Sequence, residues 1–106
     1  MITFEDFKKL DIRIGEIASA EKIEDTDKLI KLEIDLGDEK RQIVAGLAEF
    51  YDVEDLVGKQ IPVLVNLEPR VLRGVESQGM ILAANFEGVP VLLHPEKAIP
   101  VGSIIK

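Results

Sequence analysis

The chain has 106 residues, 46% of them hydrophobic, no cysteine and a formal net charge of −7. That size and composition predict one packed domain over residues 1–106 rather than a disordered chain, and the absence of thiols excludes disulfides and thiolate metal centres. The negative balance argues against a surface that neutralises phosphate everywhere, but it is uneven: residues 1–65 hold 16 acidic and 9 basic residues, whereas residues 66–106 hold 4 of each, which leaves room for a polyanion at a local patch.

"MITFEDFKKL" predicts a short opening helix, with Thr3 as N-cap, Asp6 completing a near capping box and Ile2 and Phe7 spaced as a hydrophobic staple. In "LDIRIGEIASA" Ile12 and Ile14 alternate with charge and Ile17 falls out of phase, so a β-bulge is expected at Gly15 in a strongly bent first strand. "DKLIKLEIDLG" alternates strictly, with Ile30, Leu32, Ile34 and Leu36 against Lys31, Glu33 and Asp35, and predicts a half-buried strand. Gly37–Glu39 turns it into a partner, "KRQIVAG", in which Ile43 and Val44 compete for the inward position. A short helix follows, capped by Asp52 and closed by Gly58. The fourth strand, "QIPVLVN", puts Ile61, Val63 and Val65 on one face, with Pro62 at a strand start or an edge. "GMILAA" is expected as a buried fifth strand, "NFEGVPVLL" as a hairpin about Glu87–Gly88, and "AIPVGSIIK" as a last short strand. No apolar run reaches the ~18–20 residues of a membrane span and no secretory leader is visible, so the expectation is a cytoplasmic protein without a membrane partner. The whole predicts an all-β, five-stranded OB-fold barrel with two short helices and a small C-terminal β extension.

Catalytic chemistry is thin. Ser77 and His94 are the one conceivable nucleophile–base pair, and a single serine and histidine would look the same in any small chain. The acidic clusters Glu24–Asp27, Asp38–Glu39 and Glu54–Asp55 read as solvated turns and helix starts, and "EDTDK" lacks the glycine and final glutamate of a calcium loop. No cofactor or metal is expected, and the reading is a binding module rather than an enzyme.

The segment "NLEPRVLRGVESQGMILAA", Asn66–Ala84, mixes groups suited to sugar and phosphate. Asn66, Ser77 and Gln78 offer neutral donors and acceptors. Arg70 and Arg73, on one side if the segment makes a helical turn, offer forks for phosphate. Gly74 and Gly79 allow close backbone approach, and Met80 supplies a pliable apolar contact. The plainer alternative pairs the arginines with Glu68 and Glu76, makes Gly79 a bulge and buries Met80. The rings, Phe4, Phe7, Phe50, Tyr51 and Phe86, lie outside the second and third strands, so a folded RNA read by shape suits the chain better than a single strand stacked on aromatics.

"FKKLDIRIGEI", "DKLIKLEIDLG", "RQIVAGL" and "LVGKQIPVLVNLEPRVLRGVESQGMILAA" resemble the tRNA-binding domain family, which includes stand-alone dimeric proteins and the C-terminal domain or β subunit of methionyl-tRNA synthetase. The resemblance implies an OB-fold that grips the outer corner of tRNA, acting as a homodimer alongside methionyl-tRNA synthetase. It makes Asn66, Arg70, Arg73, Ser77 and Met80 the matching RNA-binding positions, with Lys28, Lys31, Arg41 and Gln42 as neighbours across the barrel face. It also implies a barrel core over residues 7–84 and a dimerisation extension over 85–106. The run before the second strand, "IEDTDKLI", lacks the proline and aromatic of the family pattern. A bacterial branch acts as a peptide-binding, export-associated chaperone, which the resemblance leaves as the alternative.

Overall fold

A computed structural model describes all 106 residues. It begins with α1, Phe4–Phe7, where Thr3 and Asp6 form the reciprocal capping box: the Asp6 amide donates to Thr3 Oγ1 and the Thr3 amide to Asp6 Oδ2. Then come β1 (Ile12–Lys22), β2 (Ile30–Asp35), β3 (Lys40–Ala45), α2 (Val53–Leu56) and β4 (Gln60–Leu64). Five short strands complete the order: β5 (Arg70–Leu72), β6 (Val75–Ser77), β7 (Met80–Ile81), β8 (Ala83–Phe86) and β9 (Val89–Leu92). One antiparallel sheet runs β3-β2-β1-β4-β7, and β7 returns beside β3, so the five strands curl into the OB-type barrel. No helix is long and apolar enough to cross a membrane.

The period-two strand behaves as expected. Ile30, Leu32 and Ile34 of β2 are fully buried in one core cluster with Ile17, Ile43, Leu56, Ile61 and Val63. Ile43, opposite Leu32, wins the inward position; Val44 is also buried but lies outside that cluster.

The first strand departs from its predicted geometry. The bulge sits at Ala18, between Ile17 and Ser19, not at Gly15. Gly15 and Ile17 both face the barrel interior: a methyl group on Gly15 would collide with Ile34 Cγ2 and crowd Leu36 and Val63. Ile12 and Ile14 face the opposite side. There the C-terminal tail takes the β1 edge that β2 leaves free: the Ile14 amide donates to Ser103 O, and Gly102 and Ile105 donate to Ile14 O and Ile12 O. Ile12 and Ile14 are buried yet lie outside the barrel core cluster, Ile14 lining a small hollow with Leu93, Pro95, Ile99 and Ile105. β1 is thus buried on both faces here, and that, not a bulge at Gly15, accounts for the apparent phase break.

Three further expectations are corrected. "GMILAA" is not one buried strand: β7 is two residues long, Met80 is 42% exposed, and Ala83–Ala84 belong to the β8–β9 hairpin. Pro62 is not on an edge strand, since β4 lies between β1 and β7, nor at the strand start; it is the third of the five residues of β4. The final nine residues form one isolated bridge, Arg13 with Ile104, rather than a strand, because the chain turns at Gly102, whose φ is +86°. The hairpin about Glu87–Gly88 is present, and Tyr51 ties it to the barrel, its hydroxyl donating to Pro90 O and accepting from the Leu92 amide.

Candidate nucleic-acid interface

With the apolar residues of β2 turned inward, its charged residues must face out. Lys31 and Glu33 of β2, Ser19 and Glu21 of β1, and Lys40 and Gln42 of β3 line a depression of about 430 Å³ on the outer barrel wall. It continues into a second, of about 460 Å³, walled by Glu39, Lys40, Arg41, Leu67, Pro69 and Gln78. Neither contains an aromatic ring. The three cations of this groove are each matched by an acid: Lys31 Nζ lies 2.6 Å from Glu21, Lys40 Nζ 3.6 Å from Glu33, and Arg41 Nε is bonded to Glu39.

Beyond the groove stands the β5–β6 hairpin, where the sequence reading allowed a helical turn. Arg70 pairs with Ser77 and Leu72 with Val75, so Arg73 and Gly74 form the two-residue tip. Their φ values of +51° and +78° are those of a type I′ turn, the connection whose twist matches a hairpin. Both arginines are exposed. Neither pairs with Glu68 or Glu76, and neither enters any of the ion pairs of the molecule.

The residues around the hairpin close the barrel. Ser77 is buried; its hydroxyl accepts from the Val44 amide at 3.0 Å and donates to Gly79 O at 3.0 Å. Gln78 Oε1 accepts from the Gln42 amide, the Gln78 amide donates to Gln42 O, and Gln42 Nε2 donates to Glu76 O. Together these satisfy the outer edge of β3 where β7 is too short to pair with it. Gly79, at φ +136°, sits so close to Leu64 O that a Cβ would lie 2.9 Å away. Arg41 Nη1 reaches Val65 O and Gln78 O, bracing the same junction.

On the far side of the hairpin lies a mostly apolar groove of about 510 Å³, lined by Leu29, Val44, Leu72, Met80, Ile81 and Pro90 among others, with Arg70 in its wall.

The profile of the family described as "Putative tRNA binding domain" matches residues 12–104 of this chain. The chain belongs to the tRNA-binding domain family. The methionine–tRNA ligase of Archaeoglobus fulgidus is 58% identical over 102 residues, which is 96% of this chain and 16% of that enzyme. The chain thus spans about 16% of the length of the curated relatives it matches. Among solved structures, a MetRS-related protein from Pyrococcus horikoshii superposes with a TM-score of 0.95 at 40% identity, covering 100% of this chain and 98% of the other. Chaperone CsaA from Bacillus anthracis superposes with a TM-score of 0.91 at 38% identity, covering 100% and 99%.

In this tRNA-binding domain the nine sequence-predicted positions separate into two kinds. Arg70, Arg73, Lys28 and Met80 are exposed, and Lys31 is half-buried under its pair with Glu21. Asn66, Ser77, Arg41 and Gln42 are engaged within the fold. The Asn66 amide joins the end of β4 to the start of β1, Oδ1 accepting from the Asp11 amide at 2.8 Å and Nδ2 donating to Lys9 O at 2.7 Å. Lys40 also lines the groove and was absent from the predicted set, its outward phase on strand three being the available signal; Gln78, read from the sequence as a neutral donor and acceptor but not among the nine, lines it too. Ser77 and His94 do not form a pair, since the serine is committed to Val44 and Gly79 and His94 Nδ1 to Gln60 O at 2.8 Å.

Beside the Asn66 clamp, Arg13 donates to both carboxylate oxygens of Asp11 at 2.9 and 2.8 Å. Those hydrogen bonds hold the Asp11 carboxyl below the usual carboxylate range against the opposing pull of desolvation, and they raise the Arg13 guanidinium.

Proposed function

We propose that this domain binds folded tRNA at its outer corner, without catalysing a reaction on it. Arg70 and Arg73 take backbone phosphates, Lys28 and Lys31 extend the contact along the barrel wall, and Met80 supplies an apolar contact beside Arg70. Asn66, Ser77, Arg41 and Gln42 serve the same site by fixing the hairpin and the strand ends that carry it. The observation that carries this reading is the projecting hairpin with two unpaired arginines, in a chain matched to its family over residues 12–104. The ring-free groove supports recognition by shape and backbone rather than by base stacking.

The domain acts in the cytoplasm as a homodimer and assists a methionyl-tRNA synthetase in trans. Residues 1–106 work as one module, with residues 7–84 as the barrel core and residues 85–106 as the dimerisation extension. Support for self-association comes from the apolar side chains that extension leaves uncovered, Phe86 at 67% and Ile104 at 68% exposure, with Leu93 and Val91 between them. Size-exclusion chromatography with light scattering tests both parts. The protein alone is expected at twice the 11.8 kDa chain mass, and bulk tRNA is expected to move it into an earlier, co-eluting peak; a monomer, or a protein peak that ignores tRNA, refutes the corresponding part.

A second reading, a chaperone-like dimer that binds peptide, is favoured by the apolar groove beside Met80 and by the likeness to CsaA. The two separate on salt. Phosphate contacts release counterions, so tRNA affinity should fall steeply between low and moderate salt, whereas an apolar peptide contact should barely change.

A further inference from the structure

The cations of the outer groove are all masked by the chain's own carboxylates, while those of the hairpin are not. Glu21 stands directly across β1 and β2 from Lys31. Glu33 lies diagonally across β2 and β3 from Lys40, and Glu39 sits two residues before Arg41. The three glutamate side chains remain 65%, 50% and 42% exposed. Ion pairs this exposed are weak, so a phosphate arriving in the right place can displace the carboxylate. Arg41 is itself held by Val65 O and Gln78 O, so at that position the glutamate is the part free to move.

We infer that Glu21, Glu33 and Glu39 are specificity determinants, forming an internal polyanion mask over the groove; the inference rests on the tRNA reading above and deepens it. A generic polyanion meets two free arginines at the hairpin and, beside them, a groove whose net charge is close to zero. Entering the groove costs it three internal pairs and sets its phosphates next to three displaced carboxylates. A ligand whose shape spans hairpin and groove together replaces those pairs in one step. Discrimination is thus built from repulsion against the wrong partners as well as attraction to the right one. The absence of rings from the groove leaves no stacking contact to do that work instead.

The test compares three full-length proteins: the natural chain, the mask variant Glu21→Gln/Glu33→Gln/Glu39→Gln, and a control, Asp52→Asn/Glu54→Gln/Asp55→Asn. The control removes the same charge from exposed positions at α2. Each is titrated by fluorescence anisotropy with bulk tRNA, a heparin oligosaccharide and a DNA duplex over a salt series. The mask variant should bind heparin and duplex about tenfold or more tighter at low salt, with a steeper salt slope and a reduced preference for tRNA, while the control stays within about threefold of the natural chain. A natural chain that binds tRNA together with a mask variant indistinguishable from the control overturns the mask and leaves the tRNA reading standing. If all three proteins ignore all three polyanions, both fall.

Discussion

Arg73 holds a backbone conformation that non-glycine residues rarely adopt. The first central position of a type I′ turn favours asparagine, aspartate or glycine, so an arginine there is a local cost to folding that its projecting charge can justify. Arg73→Asn should therefore leave thermal stability equal or slightly higher, while weakening tRNA binding by about 1–3 kcal/mol at moderate salt. Paired melting and filter-binding measurements check both signs, and a variant that binds tRNA as well as the natural chain removes Arg73 from the site. Ser77 should behave in the opposite way. Removing its hydroxyl orphans the buried Val44 amide and the Gly79 carbonyl, so Ser77→Ala should lose about 1–3 kcal/mol in urea unfolding while its folded fraction loses much less tRNA affinity than Arg73→Asn. At this scale the sequence was legible for residue type and not for commitment. Nothing in "ESQG" distinguishes a hydroxyl offered to solvent from one spent on a strand edge thirty-three residues away.

Among the elements, those governed by one local rule were readable. The capping box at Thr3, the alternation of β2 and the Glu87–Gly88 turn are each encoded within a few residues. Elements whose covers come from far along the chain were not. Ile12 and Ile14 look like core residues of the barrel because the residues that pair with their backbone, and that pack beside Ile14, lie some ninety residues later. The β5–β6 hairpin was hidden because Arg73–Gly74 is not one of the dipeptides that announce a type I′ turn. The junction of α1, β1 and β4 depends on Asp11 as well as Asn66, and that dependence has a pH signature. The Asp11 carboxyl is lowered in the folded state from its ordinary 3.8 by its hydrogen bonds with Arg13. Its contribution to stability is thus complete above that ordinary value and is lost as pH falls through the folded one. Melting temperature should drop below about pH 4, and Asp11→Asn should flatten that part of the curve; an unchanged acid limb in the variant means the pair contributes nothing.

Across the whole molecule, charge is arranged rather than simply in excess. The −7 belongs to residues 1–65, yet the groove on that half is locally balanced by its three ion pairs, and the unpaired arginines stand at its end. An acidic protein can in this way present a cationic landing site without being generally adhesive to polyanions. The measurement that bears most directly on this account is the salt dependence of tRNA binding by the natural chain and by Arg70→Ala/Arg73→Ala, followed by fluorescence anisotropy from dilute to physiological buffer. The natural chain should bind, with affinity falling steeply as salt rises, and the double variant should bind more weakly at every salt concentration with its log–log slope reduced by about 2. Equal affinity and equal slope for the two proteins would contradict it.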